Sequence, residues 1–445
     1  MSKPKKTLKN IKSGTVSRTL SLARMGLGTG AKWAGQAVTG MLADEKVKKH
    51  LYDEFLSDRI ERFTKELGQL KGSLMKAGQL LSTYGEHFLP PQANEVLKTL
   101  QFQSPPLDYD RIYEILVNEF GIRHLEELDI EEEAFASASI GQVHRATIKA
   151  TGEQLALKVQ YPGVNKAVDS DLKALRSLLN MANIIPKSVS TDSLFAEVRD
   201  MLVQELNYPI EQQLTKEYQQ KAKDLEGVKV PSIYDRYSGQ QVIATEFIDG
   251  CVLDDPKVLA LSQERRNRLG TIFLELYFYE LFHWGMVQTD PHFGNYRVLI
   301  DDEGGLDTLV TLDFGAVRKV DDGFKIPYIK MVGSLAKNDM KGFMAAASEL
   351  GFIRDGDPEQ LQSLFKDFCM MIVEPFEEDH QPYDWGVSRL PSRVLEKGRE
   401  LILGFRLRTP PRELVFLDRK LGGVFTVLAK LDVKIPAREI LFRHI

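Results

Sequence analysis

The chain has 445 residues, 43% of them apolar and 27% charged, with a formal net charge of −5. That length suits two or three packed lobes, and the composition is that of an ordinary globular protein with no reason to expect a nucleic-acid partner. Two distant cysteines, Cys251 and Cys369, exclude a disulfide framework or a zinc site and point to a reducing compartment.

Charge is unevenly spread. Residues 1–43 carry eight Lys or Arg and no acid, leaving a net −13 on the other 402. From Val16 the apolar residues Leu20, Ala23, Leu27, Ala31, Ala34, Val38 and Met41 keep to one helical face. With Arg18, Arg24 and Lys32 off that stripe, residues 14–42 read either as a basic amphipathic helix on an anionic membrane surface or as a helix packed on the protein itself. The chain has no uninterrupted apolar run of about 18 residues and no compact apolar core of a secretion signal. The expected location is therefore the cytoplasm, with peripheral contact at the inner face of the membrane.

Residues 45–88 show a continuous helical stripe from Leu51 to Leu74, and within it Gly72, Lys76 and Gln79 share one face. Taken alone, Lys76 reads as a solvated lysine on an amphipathic helix. Pro90-Pro91 ends the segment, and Asp110–Phe120 is expected to be helical.

Composition shifts at Ile130. Phe135-Ala136-Ser137-Ala138-Ser139-Ile140-Gly141-Gln142 reads as a small-residue turn between strands, and Gln154–Gln160 as a strand carrying Ala156-Leu157-Lys158. A tight loop followed by Ala-x-Lys is how phosphates of a nucleotide are covered and then paired with a cation, here by Ala136, Ser137, Ala138, Ser139 and Lys158. Alanine and serine stand where glycines are expected, so the loop is stiffer. Helices are expected at Lys166–Ala182 and Asp192–Tyr208. Glu205 or Glu211 could pair with Lys158, but not both, because six helical residues turn by about 240°. Pro209 between them can begin a new helical turn. Gln241–Gly250 reads as an apolar strand running into a hinge, where the backbone at Glu246 and Ile248 would meet an adenine edge; an ordinary strand and turn reads equally well.

The centre of the sequence is Gln288-Thr289-Asp290-Pro291-His292-Phe293-Gly294-Asn295-Tyr296, followed by Leu312-Asp313-Phe314-Gly315. An apolar helix, Gly270–Gly285, leads into the first stretch, and strands at Tyr296–Ile300 and Thr308–Leu312 bring the two together. Asn295 and Asp313 offer hard oxygens to Mg²⁺, and Asp290 can orient an attacking hydroxyl or water. Asp-Phe-Gly alone also arises as plain turn chemistry, but the pair at this spacing is a phosphoryl-transfer signature. Helices are expected after it at Ile326–Leu335, Met340–Leu350, Pro358–Val373, Ser392–Phe405 and Phe416–Leu431. No Ala-Pro-Glu follows Asp313, so the peptide-docking platform of an ordinary protein kinase looks absent.

From about Gly72 to the C-terminus the chain resembles the UbiB group of atypical protein-kinase-like proteins, the AarF, Coq and ADCK proteins. Lys76-Ala77-Gly78-Gln79 matches their Lys-x-Gly-Gln motif, Ala136–Val143 their alanine-rich loop, and Glu205-Leu206-Asn207-Tyr208 their acidic motif, while Gln288-Thr289-Asp290 stands where other kinases have His-Arg-Asp. Ser137 and Asn207 depart from the usual Ala and Asp. The resemblance implies an α+β, two-lobed protein-kinase-like fold with an N-terminal helical extension, ATP binding, and a role in ubiquinone or other isoprenoid-lipid metabolism. It also implies that the Lys-x-Gly-Gln helix blocks a protein substrate, with Lys76, Gln79 and Glu205 in a regulatory role and Glu211 at the nucleotide site, while which of Glu205 and Glu211 pairs with Lys158 stays open. The expected divisions are 1–44, the basic segment; 45–129, the helical extension; 130–250, the N-lobe; and 251–445, the C-lobe. Two activities follow: an ATPase or small-molecule or lipid kinase using ATP and Mg²⁺, or a nucleotide-gated module that extracts an isoprenoid or quinone-precursor lipid.

Overall fold

A computed structural model describes residues 72–85, Leu97, 106–181, 192–404 and 412–445. The stripe at residues 14–42 and most of the expected helical extension lie outside the described residues. The chain divides into two compact units, Met1–Glu211 with Ile233–Phe247, and Gln212–Ser232 with Ile248–Ile445.

An antiparallel sheet builds the first unit. Its strands run in the order Leu128–Ile130, Gly141–Ile148, Gln154–Gln160 and Val242–Glu246, and Ala136–Ser137 also pairs with Gly141–Ile148. Leu155, Leu157 and Val159 alternate onto a fully buried face, as a two-residue period requires. The helix Tyr109–Phe120 packs against this strand and buries Ile112 and Leu116. Elsewhere in the unit, Ser73–Gly85 packs on both Val164–Met181 and Asp192–Glu205. Ser73 Oγ anchors it by donating to Asp171 Oδ2 at 2.6 Å in a buried position.

The helix expected over Asp192–Tyr208 stops earlier, at Glu205, and a second helix runs Tyr208–Ala222. Asn207 caps the new helix, its Oδ1 accepting the Ile210 N–H at 3.2 Å. Pro209, which has no N–H to offer, sits in the first turn where none is needed. Glu205 therefore ends one helix and Glu211 opens the next.

The second unit is mainly helical around one large apolar core. Ser262 caps the helix Gln263–Phe278 through the Arg265 N–H, and the chain continues as a wider π-helical turn, Tyr279–Trp284. Gly285, at φ 57°, supplies the left-handed stop. Two small sheets follow: Met286–Gln288 pairs with Val317–Lys319, and Tyr296–Leu299 pairs with Thr308–Thr311, which also takes Val228–Lys229 in parallel. Helices Asp322–Ala336, Met340–Glu349, Glu359–Val373, Leu390–Gly404 and Arg412–Lys430 complete the unit. Asp321 and Asp339 cap the first two, each worth about 1 kcal/mol. A sheet-bearing unit followed by a helical one is the expected α+β architecture.

Candidate functional site

In the first unit, Ala136 and Ser137 pair with Val143 and Gln142, and Ala138 N–H closes the turn on Gly141 O at 2.8 Å. Residues 136–138 are exposed, while Ile140 beneath them is buried. Lys158 lies opposite Val143 and Ile243, on the sheet face away from Leu155, Leu157 and Val159.

The sequence left the partner of Lys158 open. In the structure Lys158 Nζ meets Glu211 Oε1 at 2.7 Å and lies 5.4 Å from the centre of the Tyr208 ring. Glu211 is buried in the first turn of its helix, where a carboxylate is favoured by the helix dipole. Lys76 Nζ meets Glu205 Oε1 at 2.5 Å, with both side chains largely buried, so Lys76 is not the solvated lysine that helical spacing alone suggests. Gln79 lies one turn on in the same helix. Glu246 ends its strand opposite Leu155, and Ile248 begins the second unit in irregular chain.

In the second unit, the strand pairing of Met286–Gln288 with Val317–Lys319 brings the two central stretches together, and Thr289 N and Oγ1 both donate to Ala316 O. Gln288 then bridges them. Its Nε2 donates to Asp290 O at 3.0 Å and to Asp313 O at 3.2 Å. Asn295 Nδ2 donates to Asp290 O at 2.9 Å and Asp290 Oδ2 at 3.2 Å, and Asn295 O accepts the Leu312 N–H at 2.9 Å. Asp313 Oδ1 accepts the Gly315 N–H at 3.0 Å, and fully buried Phe314 packs 4.7 Å from the Tyr218 ring. Asp290, Asn295 and Asp313 thus form one hydrogen-bonded group.

Three residues of this group escaped the sequence reading. Arg419, on the Arg412–Lys430 helix, reaches Asp290 Oδ1 with Nη2 at 2.6 Å. Its neighbour Lys420 pairs with Glu280 at 2.7 Å, the two side chains being 3% and 1% exposed. Burial pushes the Glu280 carboxyl above its ordinary range against the pull of Lys420. For Lys420, burial acts downward, but the facing Glu280 and Tyr296 oxygens outweigh it and hold the ammonium above its usual value. Burial also raises the Tyr296 hydroxyl to about 12. The only local signal was Gly422-Gly423 inside an apolar helical pattern, an unfavourable choice unless something must approach closely.

Residues 99–347 match the family described as the ABC1 atypical kinase-like domain. The chain is 30% identical over 401 residues to the atypical kinase coq-8, mitochondrial, of Caenorhabditis elegans, covering 88% of this chain and 51% of the worm protein. It is 27% identical to the probable serine/threonine-protein kinase abkA of Dictyostelium discoideum, covering 98% of this chain and 79% of that protein. Thus the chain spans about half the length of the worm relative. Among solved structures, Rv3197 of Mycobacterium tuberculosis, determined with erythromycin, shares the fold with a TM-score of 0.60 at 24% identity, covering 89% of this chain and 98% of that one. The chain belongs to the ABC1 atypical kinase-like family.

Proposed function

We propose, taking membership of the ABC1 atypical kinase-like family as the premise, that this protein binds Mg·ATP. In this reading it hydrolyses ATP, or passes the terminal phosphoryl group to a small molecule or lipid, in support of ubiquinone or other isoprenoid-lipid metabolism. The observation that carries the reading is the bridge from Gln288 Nε2 to the carbonyls of Asp290 and Asp313, with Asn295 turned onto Asp290.

The donor set fits the metal. Both Asn295 hydrogen bonds to Asp290 come from its amide nitrogen, which leaves the carbonyl oxygen as the atom for a cation. Asp313 has its carboxylate oriented by the Gly315 N–H. One amide oxygen and one carboxylate are what Mg²⁺ takes when phosphates complete its shell. When bound, the ion neutralises charge on the phosphoryl oxygens. Asp290 orients the nucleophile. Lys158, steadied by Glu211, takes the α/β phosphates, the loop Ala136–Ser139 covers them, and the backbone at Glu246 and Ile248 holds the adenine edge. Lys76, Gln79 and Glu205 regulate turnover, so Lys76→Ala is expected to change the preference between ATP and ADP.

Among the described residues no helix is long and apolar enough to cross a membrane. In this reading, contact with a quinone-precursor lipid at the inner membrane face is made by a peripheral surface.

The test is ATP hydrolysis by the full chain with anionic liposomes carrying isoprenoid quinone precursors. Asp290→Asn should lose about 10²- to 10⁴-fold in turnover with little change in ATP affinity. Lys158→Ala should damage both. Parental hydrolysis by Asp290→Asn would overturn the reading, and an Asp290→Asn protein that still loads lipid in response to ATP would favour a nucleotide-gated lipid module.

A further inference from the structure

Gln288 orders the backbone of both aspartates, yet an amide side chain can turn over and present its oxygen instead of its nitrogen. Two carbonyl oxygens facing a carbonyl oxygen would repel. Something must therefore dictate which way the Gln288 amide points.

Tyr296 supplies the first half of the answer. Its hydroxyl lies 3.3 Å from Gln288 Oε1 and 3.4 Å from Lys420 Nζ. An ammonium donates and never accepts, so the Tyr296 oxygen must accept from Lys420 and is left to donate its own hydrogen to Gln288. That fixes Oε1 as an acceptor and turns Nε2 toward Asp290 O and Asp313 O. All four groups lie in one direction of donation: Lys420 to Tyr296, Tyr296 to Gln288, Gln288 to the two backbone carbonyls.

Glu280 closes the other side. One carboxylate oxygen takes Lys420 at 2.7 Å, and the other accepts Tyr218 Oη at 2.7 Å and the Gln288 backbone N–H at 3.3 Å. Gln288 is thus held through its main chain by Glu280 and through its side chain by Tyr296. The wider turn Tyr279–Trp284 is the element that delivers Glu280 to this position, as such turns often do beside functional sites. A buried ion pair is weak evidence for stability, because well-packed apolar residues of the same volume usually do as well. Here its geometry does something apolar residues could not.

We propose that Lys420, held by Glu280, is a positioning residue for the reacting loop, setting the orientation of Gln288 through Tyr296 and so the placement of Asp290 and Asp313. This rests on the phosphoryl-transfer reading above. None of Lys420, Tyr296 and Gln288 is assigned a contact with nucleotide, so loss of the relay is expected to cost turnover more than binding.

Tyr296→Phe is the cleanest test, because the ring and its edge contact with Phe273, 5.1 Å between centres, stay in place. Three quantities are measured on the full chain: ATP turnover with anionic vesicles, the Mg·ATP dissociation constant and the thermal midpoint. Turnover is expected to fall roughly 10- to 100-fold, the scale of a small misplacement of a reacting group, with affinity within about threefold. Lys420→Met is then added. A one-way chain predicts that the double variant turns over no more slowly than Lys420→Met alone, whereas independent structural roles predict losses that multiply. Parental turnover in Tyr296→Phe, or equal loss of turnover and affinity, overturns the proposal. If Asp290→Asn is inactive in the same assay, that failure belongs to the positioning chain alone. If Asp290→Asn is fully active, the catalytic reading beneath it has failed instead. Should Lys420→Met not fold, Tyr296→Phe decides by itself.

Discussion

Asp290 Oδ1 stands 2.6 Å from Arg419 Nη2, a contact that spans 129 positions of the chain. Asp290 Oδ2 takes Asn295, so the two oxygens are held from opposite sides. In the proposed role of orienting the nucleophile, a carboxylate held at both oxygens has little freedom to turn. Arg419→Gln weakens one of the two restraints. Turnover is expected to fall by about 10- to 100-fold, with ATP affinity nearly unchanged. Faster turnover would mean that the guanidinium restrains the carboxylate and keeps it from its work.

Lys76 and Glu205 give a stability prediction. Their side chains are only 10% and 14% exposed, so removing one partner takes the ion pair from the other in a poorly solvated place. Lys76→Met should cost about 3 kcal/mol, toward the lower end for a broken buried pair because some water reaches both groups, while Lys76→Met with Glu205→Leu should recover most of that loss. Chemical denaturation of the three proteins checks it. Equal stability of Lys76→Met and the parent would return Lys76 to the solvated role that its helical spacing suggests.

His144 gives a prediction for the response of the first unit to acid. It is fully buried, with Nδ1 2.8 Å from Glu131 O and Nε2 2.9 Å from Gln142 Nε2. The Glu131 carbonyl can only accept, so Nδ1 carries the hydrogen and Nε2 accepts from Gln142. Gln142 in turn ties down Leu107, accepting its N–H at 2.8 Å and donating to its carbonyl at 3.2 Å. Burial lowers the His144 pKa, the Glu131 carbonyl pulling weakly the other way. A lowered folded value means that the unfolded chain binds the proton more readily. The contribution is therefore intact above about 6.5 and is lost as pH falls through the folded value. The thermal midpoint should drop between pH 7.5 and pH 5, and His144→Phe should flatten part of that drop. An identical slope in both proteins would remove His144 from the account.

What could be read from the sequence and what could not divide along physical lines. That Asp290, Asn295 and Asp313 come together was legible because loop chemistry concentrates them in two short stretches with fixed spacing. The strand at Gln154–Gln160 was legible because alternation is local. The break between Glu205 and Glu211 was half legible: Pro209 hinted at a new helical turn, but Asn207 as its cap emerged only with the backbone. Arg419, Lys420 and Glu280 were hidden because each looks like an ordinary charge on a helix, and their partners lie far away in the chain. Helical spacing alone also misread Lys76, since burial by Val164–Met181 and Asp192–Glu205 cannot be inferred from one helix.

The pair Gly422 and Gly423 offers a matched test of how the Arg412–Lys430 helix meets the loop that carries Asp290. Both glycines are interior to the helix, so alanine at either should gain about 1 kcal/mol of helix propensity. A Cβ on Gly422 meets nothing within 4 Å. A Cβ on Gly423 would run into the Cβ and Cγ of Pro291, the residue after Asp290. Proline is rigid and cannot swing aside as a flexible side chain would, so either the helix or the loop must move. Because Arg419 and Lys420 lie on the preceding turn, any shift also loosens their hold on Asp290 and Tyr296. Gly422→Ala is therefore expected to leave turnover intact and raise the thermal midpoint slightly. Gly423→Ala should lower turnover by at least about tenfold, the cost of displacing a reacting group by a fraction of an ångström, and should lower the midpoint despite its better helix propensity. Two alanines, one residue apart and with equal effects on turnover, would show that the close approach of the helix to Pro291 has no part in placing the loop.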